Sequence, residues 1–186
     1  MTDDPEAGPS GASATRAGAR AGGTHAAEHE GRQVALAALF EADFGQRTAG
    51  AVLGRRLEEG DIGARAASHA RRLVEIVVAH RDSIDARIEA VAPAYPVVQL
   101  ARIDRALLRC GMGELLHCPT TPARVTISEW VELARTYSGE PIRRLVNGAL
   151  GRVAKDVTEA QRDDVPSGPQ GVIETGAEGH TEGPAE

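Results

Sequence analysis

Apolar residues recur at spacings of three and four along the central part of the chain, the period of helices that bury one face. His29 to Phe44 sets Leu36, Leu39, Phe40 and Phe44 on one such stripe. A short segment from Ala51 to Leu57 follows, closed by the acidic turn Glu58-Glu59-Gly60-Asp61. From Ile62 to Ala79 the repeat runs through Ala66, Leu73, Ile76, Val77 and Val78, and from Asp82 to Val91 through Ile84, Ile88 and Val91. Pro93 and Pro96 then break the pattern, because proline lacks an amide donor and restricts the residue before it.

Beyond that break the spacing predicts one helix over Val97 to His117, with Ile103, Leu107, Cys110 or Gly111, Met112 and Leu115 on its apolar face. Pro119 and Pro122 punctuate the chain before a stripe of Ile127, Trp130, Val131 and Ala134. Tyr137-Ser138-Gly139 ends that helix with glycine where a C-terminal cap wants it. Pro141 then fits the first turn of a last helix, from Ile142 to about Val157, which aligns Leu145, Val146, Ala149, Leu150 and Val153. No stretch alternates with a period of two, and aromatic residues make up only 3% of the chain. The expected fold is an all-α bundle of about seven helices joined by short connections.

Composition divides the 186 residues into three parts. Residues 1–27 and 158–186 carry glycine, alanine, proline and acids without a periodic apolar stripe, so they read as disordered tails around a folded region at 28–157. The C-terminal tail holds seven acids against Arg162 and by itself accounts for the whole formal charge of −6. The folded region is therefore close to neutral, and the acidic balance does not argue against a nucleic-acid partner. Lys155 is the only lysine; arginine suits phosphate forks, but a biased genome composition is the better explanation of the preference.

Two cysteines, Cys110 and Cys118, lack the C-x-x-C spacing and read as reduced thiols in a cytoplasmic protein. No apolar run approaches the roughly 18 residues needed to span a bilayer, and the first residues have neither a secretory core nor the basic character of a transit peptide. Metal and catalytic signals are lacking as well. His117 and Cys118 are adjacent, no H-x-x-x-H pair exists, and neither a nucleophile elbow nor a phosphate-binding glycine loop occurs. The expectation is a chain with no catalytic centre, no metal and no cofactor.

Charged positions on the later helices are more informative. Arg109 sits amid Leu107, Leu108 and Cys110, and would need an acid such as Glu114 or Glu129 if buried. Arg143 and Arg144 occupy the first turn of the last helix, where positive charge opposes the macrodipole. They either reach Glu140 or await an anion such as a phosphate backbone.

Four signatures together carry a family resemblance. They are Gly31-Arg32-Gln33-Val34-Ala35-Leu36-Ala37-Ala38-Leu39-Phe40, Asp104-Arg105-Ala106-Leu107-Leu108-Arg109 with Glu114-Leu115, Ile127-Ser128-Glu129-Trp130-Val131-Glu132-Leu133-Ala134, and Leu145-Val146-Asn147-Gly148. In order and spacing they resemble the NusB family of transcription antitermination factors, over about Glu28 to Val157. The resemblance implies an all-helical fold of two small subdomains and a non-enzymatic, RNA-binding role. Its expected partners are NusE, a small-subunit ribosomal protein, and boxA-type single-stranded RNA in ribosomal RNA leaders, within an RNA polymerase antitermination complex.

Carried over residue by residue, the resemblance names Arg32, Phe40, Arg143, Arg144 and Leu145 as RNA-binding positions, and Asp104 with Arg105 as partner contacts. Two departures stand out. The arginine-rich start of helix one reads Glu28-His29-Glu30-Gly31-Arg32, so acids stand where phosphate-facing arginines are expected. The aromatic of the last signature has become Leu145, while Phe40 replaces a tyrosine and serves either a base or the core. Trp130 falls where the family has a small residue, and marks either a patch for self-association or a larger core side chain.

Three functions compete on this reading. The first is antitermination with RNA affinity that depends on the partner; the second is a protein-interaction module of the same fold, as a monomer or a homodimer, with weak or lost RNA binding. The third is the helical front domain of a ribosomal RNA cytosine methyltransferase, which the chain disfavours because no strand or glycine-loop signal follows Asp156.

Overall fold

In the computed structural model residues 11–163 are described, with side chains over 23–159. They form seven α-helices: α1 (Gly11–Ala42), α2 (Ala49–Glu59), α3 (Ala64–Ala79), α4 (Arg81–Val91), α5 (Arg102–His117), α6 (Ala123–Tyr137) and α7 (Glu140–Asp163). No strand occurs among the described residues, as the period of the sequence requires. No helix there is long and apolar enough to cross a membrane.

The helices fall into two groups. α1 packs along α3 and against α2, while α4, α6 and α7 surround α5, which also touches α1 and α3. One continuous core joins the groups, with Leu36 and Leu73 from the first and Ile84, Leu107, Met112, Leu133 and Leu150 from the second all closed to solvent. The α1–α3 crossing depends on Gly31. A Cβ at that position would lie 2.7 Å from the Ala66 carbonyl oxygen and 2.9 Å from His69 Cβ.

Several boundaries differ from the sequence expectation. α1 begins at Gly11, so residues 11–27 are helical rather than tail. Their alanine content favours helix without any apolar stripe, and His25 reaches Glu129 at 3.2 Å. At the other end α7 runs to Asp163, beyond the expected limit at 157. The remainder of both expected tails, 1–10 and 164–186, lies outside the described residues.

The expected helix from Val97 is interrupted. Val97–Gln99 form a single 3₁₀ turn, Leu100 and Ala101 are extended, and α5 starts at Arg102. Glu89 fixes the turn by accepting the Val97 amide at 3.1 Å.

Two stripe positions are exposed instead of buried. Phe44 lies past the end of α1 and is 53% exposed, while Val78 is 59% exposed because its neighbour Val77 takes the inward direction. Both cysteines are free and buried. Between α6 and α7, Gly139 has φ +137°, and its amide bonds the Ala134 carbonyl at 3.0 Å. A side chain there would be strained, which is why the turn that orients α7 carries glycine.

Candidate nucleic-acid interface

Arg32 is closed to solvent and does not face an RNA. Because Gly31 lets α1 approach α3, the Arg32 side chain passes inward to α5 and α6. There Nε and Nη2 donate to the two carboxylate oxygens of Glu114 at 2.9 and 2.7 Å, and Nη1 donates to Glu129 at 3.3 Å. The buried indole N–H of Trp130 also donates to Glu114, at 2.6 Å. Trp130 is thus a core residue that satisfies a buried acid, not a surface patch.

Three histidines surround this network. His69 Nε2 lies 3.5 Å from Glu114, while His29 Nδ1 is 2.8 Å and His25 Nε2 3.2 Å from Glu129. Burial pushes the Glu114 carboxyl up, but His69, Arg32 and the Trp130 N–H outweigh it and hold its pKa down at about 2. Burial likewise works against the Arg32 charge, and the Glu114 hydrogen bonds and charge outweigh that too, raising its pKa. A planar guanidinium with two carboxylates is complete without a ligand.

The expected partner contacts are also engaged internally. Asp104 is buried and accepts the Ser138 hydroxyl at 2.5 Å, which ties α5 to the α6–α7 turn. Arg105 is half-buried and pairs with Asp43. Arg109 is paired as its neighbours require, though with Asp85 on α4, at 2.7 Å through both Nε and Nη2, and not with Glu114 or Glu129. The surface beside them is apolar: Leu36, Ala37, Phe40, Ile103 and Tyr137 line a shallow dish of about 350 Å³ with Gln33. Phe40 is half-buried there, its ring edge-to-face with Phe44 at 5.4 Å.

At the start of α7, Arg143 reaches back to Glu140 through Nε and Nη2 at 2.6 and 2.7 Å, and Arg144 lies 3.4 Å from the same acid. The Arg143 hydrogen bonds and charge hold the Glu140 carboxyl below its usual range. Both arginines share one exposed acid, and Arg144 is 72% exposed. Arg144, Leu145 and Gly148 form one wall of a groove of about 460 Å³, with Tyr95, Pro93 and Arg152 around it. Arg152 donates to the Val91 carbonyl, which joins α7 to the end of α4.

Tyr95 is the residue that sequence reasoning missed. Its ring is 48% exposed and supplies an aromatic surface across from Leu145. The available signal was an aromatic residue held in a Pro-x-x-Pro bracket, Pro93 to Pro96, where a core position is hard to build.

A family model described as the NusB family matches residues 29–155. This chain belongs to the NusB family. It is 38% identical over 132 residues to the transcription antitermination protein NusB of Heliobacterium modesticaldum, covering 71% of this chain and 64% of that protein. The corresponding protein of Dehalococcoides mccartyi is also 38% identical, over 72% of this chain and 94% of its own length. Among solved structures, Thermotoga maritima NusB superposes with a TM-score of 0.65 at 30% identity, covering 69% of this chain and 91% of that one. A structure of antitermination factors NusB and NusE in complex with double-stranded RNA gives 0.63 at 28% identity, over 70% and 97%.

Against the NusB pattern, the acids Glu28 and Glu30, which the structure places midway along α1, are partly neutralised. Glu28 accepts from Arg65 at 2.9 Å, and His29 faces Glu129. The family's signatures thus divide by depth in this chain: those on α1, α5 and α6 build the buried network, while on α7 only Val146 enters the core and Leu145, Asn147 and Gly148 reach the surface.

Proposed function

We propose that this NusB-family protein is a transcription antitermination factor, which binds boxA-type single-stranded RNA in ribosomal RNA leaders together with NusE and promotes processive transcription by RNA polymerase in the cytoplasm. The observation that carries the proposal is the α7 groove, where exposed Arg144 and Arg152 stand beside the ring of Tyr95. Guanidinium groups hold a phosphate backbone, and an exposed ring stacks an unpaired base whatever its sequence. Arg143, Arg144 and Leu145 remain in this assignment, with Tyr95 added, whereas Arg32, closed to solvent, is withdrawn from it and Phe40, half-buried on the apolar dish, is reassigned from RNA to the partner surface. No residue is assigned a catalytic role.

NusE docks, in this proposal, on the dish at Phe40, Ile103 and Tyr137, with Asp104 and Arg105 holding the elements beneath it. An apolar centre framed by polar groups is the usual make-up of such an interface. Anisotropy of a labelled boxA-type RNA, with and without NusE over a salt series, tests the function. Binding that NusE strengthens is the expected result; no binding in either case would overturn it.

A second reading is a protein-interaction module, self-associating and weak for RNA. The sequestered Arg32 and the acids Glu28 and Glu30 favour it. If replacing Glu28 and Glu30 with arginine brought no gain in RNA affinity, this second reading would replace the first.

A further inference from the structure

Five helix ends meet at the opposite end of α4 from the α7 groove. α1 ends there at Ala42 and α3 at Ala79, while α2, α4 and α5 begin at Ala49, Arg81 and Arg102. They enclose a pocket of about 200 Å³ whose walls include Asp43, Arg47, Arg81, Arg102 and Arg109. The carbonyl ends of α1 and α3 oppose the amide ends of the other three, so side chains decide the sign of the site.

That sign is positive. Asp43 is paired with Arg105 and Asp85 with Arg109, which cancels two arginines. Arg47, Arg81 and Arg102 are exposed, and none has an ion-pair partner among the described residues. Asp82, beside Arg81 in the first turn of α4, is exposed and makes no ion pair there. The Arg109 side chain, 10% exposed, spends Nε and Nη2 on Asp85. Its Nη1 makes no hydrogen bond among the described residues and lies 3.8 Å from Asp43.

The rim adds an aromatic surface. The Arg102 guanidinium lies over the Phe44 ring, 4.5 Å from its centroid, and that ring is half exposed. Planar arginines beside a ring suit a phosphodiester with its neighbouring base. Eleven residues of α4 separate this pocket, at Arg81, from the α7 groove, at Val91. At a rise of about 1.5 Å each they set the two sites about 15 Å apart.

We propose that this pocket is a second RNA-backbone site, in which Arg47, Arg81 and Arg102 hold a phosphate of the strand beyond the segment seated at α7. The proposal rests on the reading that the chain binds RNA. It is tested on the full chain with NusE, by anisotropy of a boxA-type RNA extended at both ends, over a salt series. Arg47→Gln with Arg81→Gln is expected to weaken binding about tenfold or more at low salt. The slope of log affinity against log salt should also fall, by about 0.7 for each phosphate that is no longer neutralised.

An RNA trimmed to the boxA-type core should respond less to the same changes. Wild-type RNA affinity and slope in the double variant would overturn the second site while leaving the α7 reading intact. A wild-type chain that binds no RNA overturns both. Inorganic phosphate titrated in an amide-resolved NMR experiment separates the sources: shifts around Thr48 and Arg81 without any RNA effect of the variants would assign the pocket to a free anion and overturn the proposal. Circular dichroism monitors folding, and the single variants decide should the double one lose helix.

Discussion

Arg32 lies within one signature of the family and Arg144 immediately before another, and their surroundings give them opposite roles. Arg32 is closed to solvent between Glu114, Glu129 and the Trp130 indole, so its charge is spent holding α1, α5 and α6 together. Arg144 stands 72% exposed, sharing one surface acid with Arg143. In a low dielectric each partner is indispensable, because the other would be left buried and charged. At the surface water screens the pair, and an anion of higher charge density can displace Glu140. A basic residue in a motif therefore acquires its function from depth, not from its type.

Removing one partner from each region gives the sharpest contrast. Arg32→Ala leaves Glu114 buried without its cation and should cost about 3–5 kcal/mol, read by chemical denaturation; RNA affinity of the fraction still folded should change little. A variant as stable as wild type would show that the network is not what joins the helices.

Acid should act on the same region. Glu114 titrates at about 2 in the folded protein, below its ordinary value of 4.5. A depressed carboxyl contributes stability that is present above pH 4.5 and lost as pH falls from there toward 2. The loss amounts to about 3 kcal/mol. Urea midpoints measured between pH 5 and pH 2 check this, and Glu114→Gln should flatten the curve over that window.

The groove should respond in binding and not in folding. Tyr95→Ala is expected to weaken RNA binding by about 1–3 kcal/mol, the worth of one stacked base, with an unchanged melting temperature. Equal affinity in that variant would remove Tyr95 from the interface. The smallest effect expected is that of Glu140→Gln. It frees Arg143 and Arg144, so RNA affinity should rise several-fold in anisotropy and the salt slope should steepen; a fall in affinity would mean that Glu140 positions the arginines for RNA rather than competing with it.

Much of the fold was legible in the spacing of apolar residues. Leu73, Ile84, Ile88, Leu107, Met112, Leu150 and Val153 were all placed on inward faces, and all are buried. Periodicity failed where a helix stopped or where a neighbour took the inward direction, as with Phe44 and Val78. It could not register the helix of residues 11–27, since alanine carries a helix without marking a face. The interface was legible only in part. Arg144 and Leu145 were found from the α7 signature, while Tyr95 lies about 50 residues earlier, on a loop that only packing brings beside them.

What the sequence alone determined is the helical class, the core-facing stripes, the glycine turn before α7 and the family, because each depends on residues within a few turns of one another. The tertiary structure decided which charges are available. Arg32 meets Glu114 and Glu129 across 82 and 97 residues, and Arg109 meets Asp85 on another helix. Whether an arginine holds the fold or waits for an anion depends on the acid opposite it and on the water around it, and both are set by packing between distant elements.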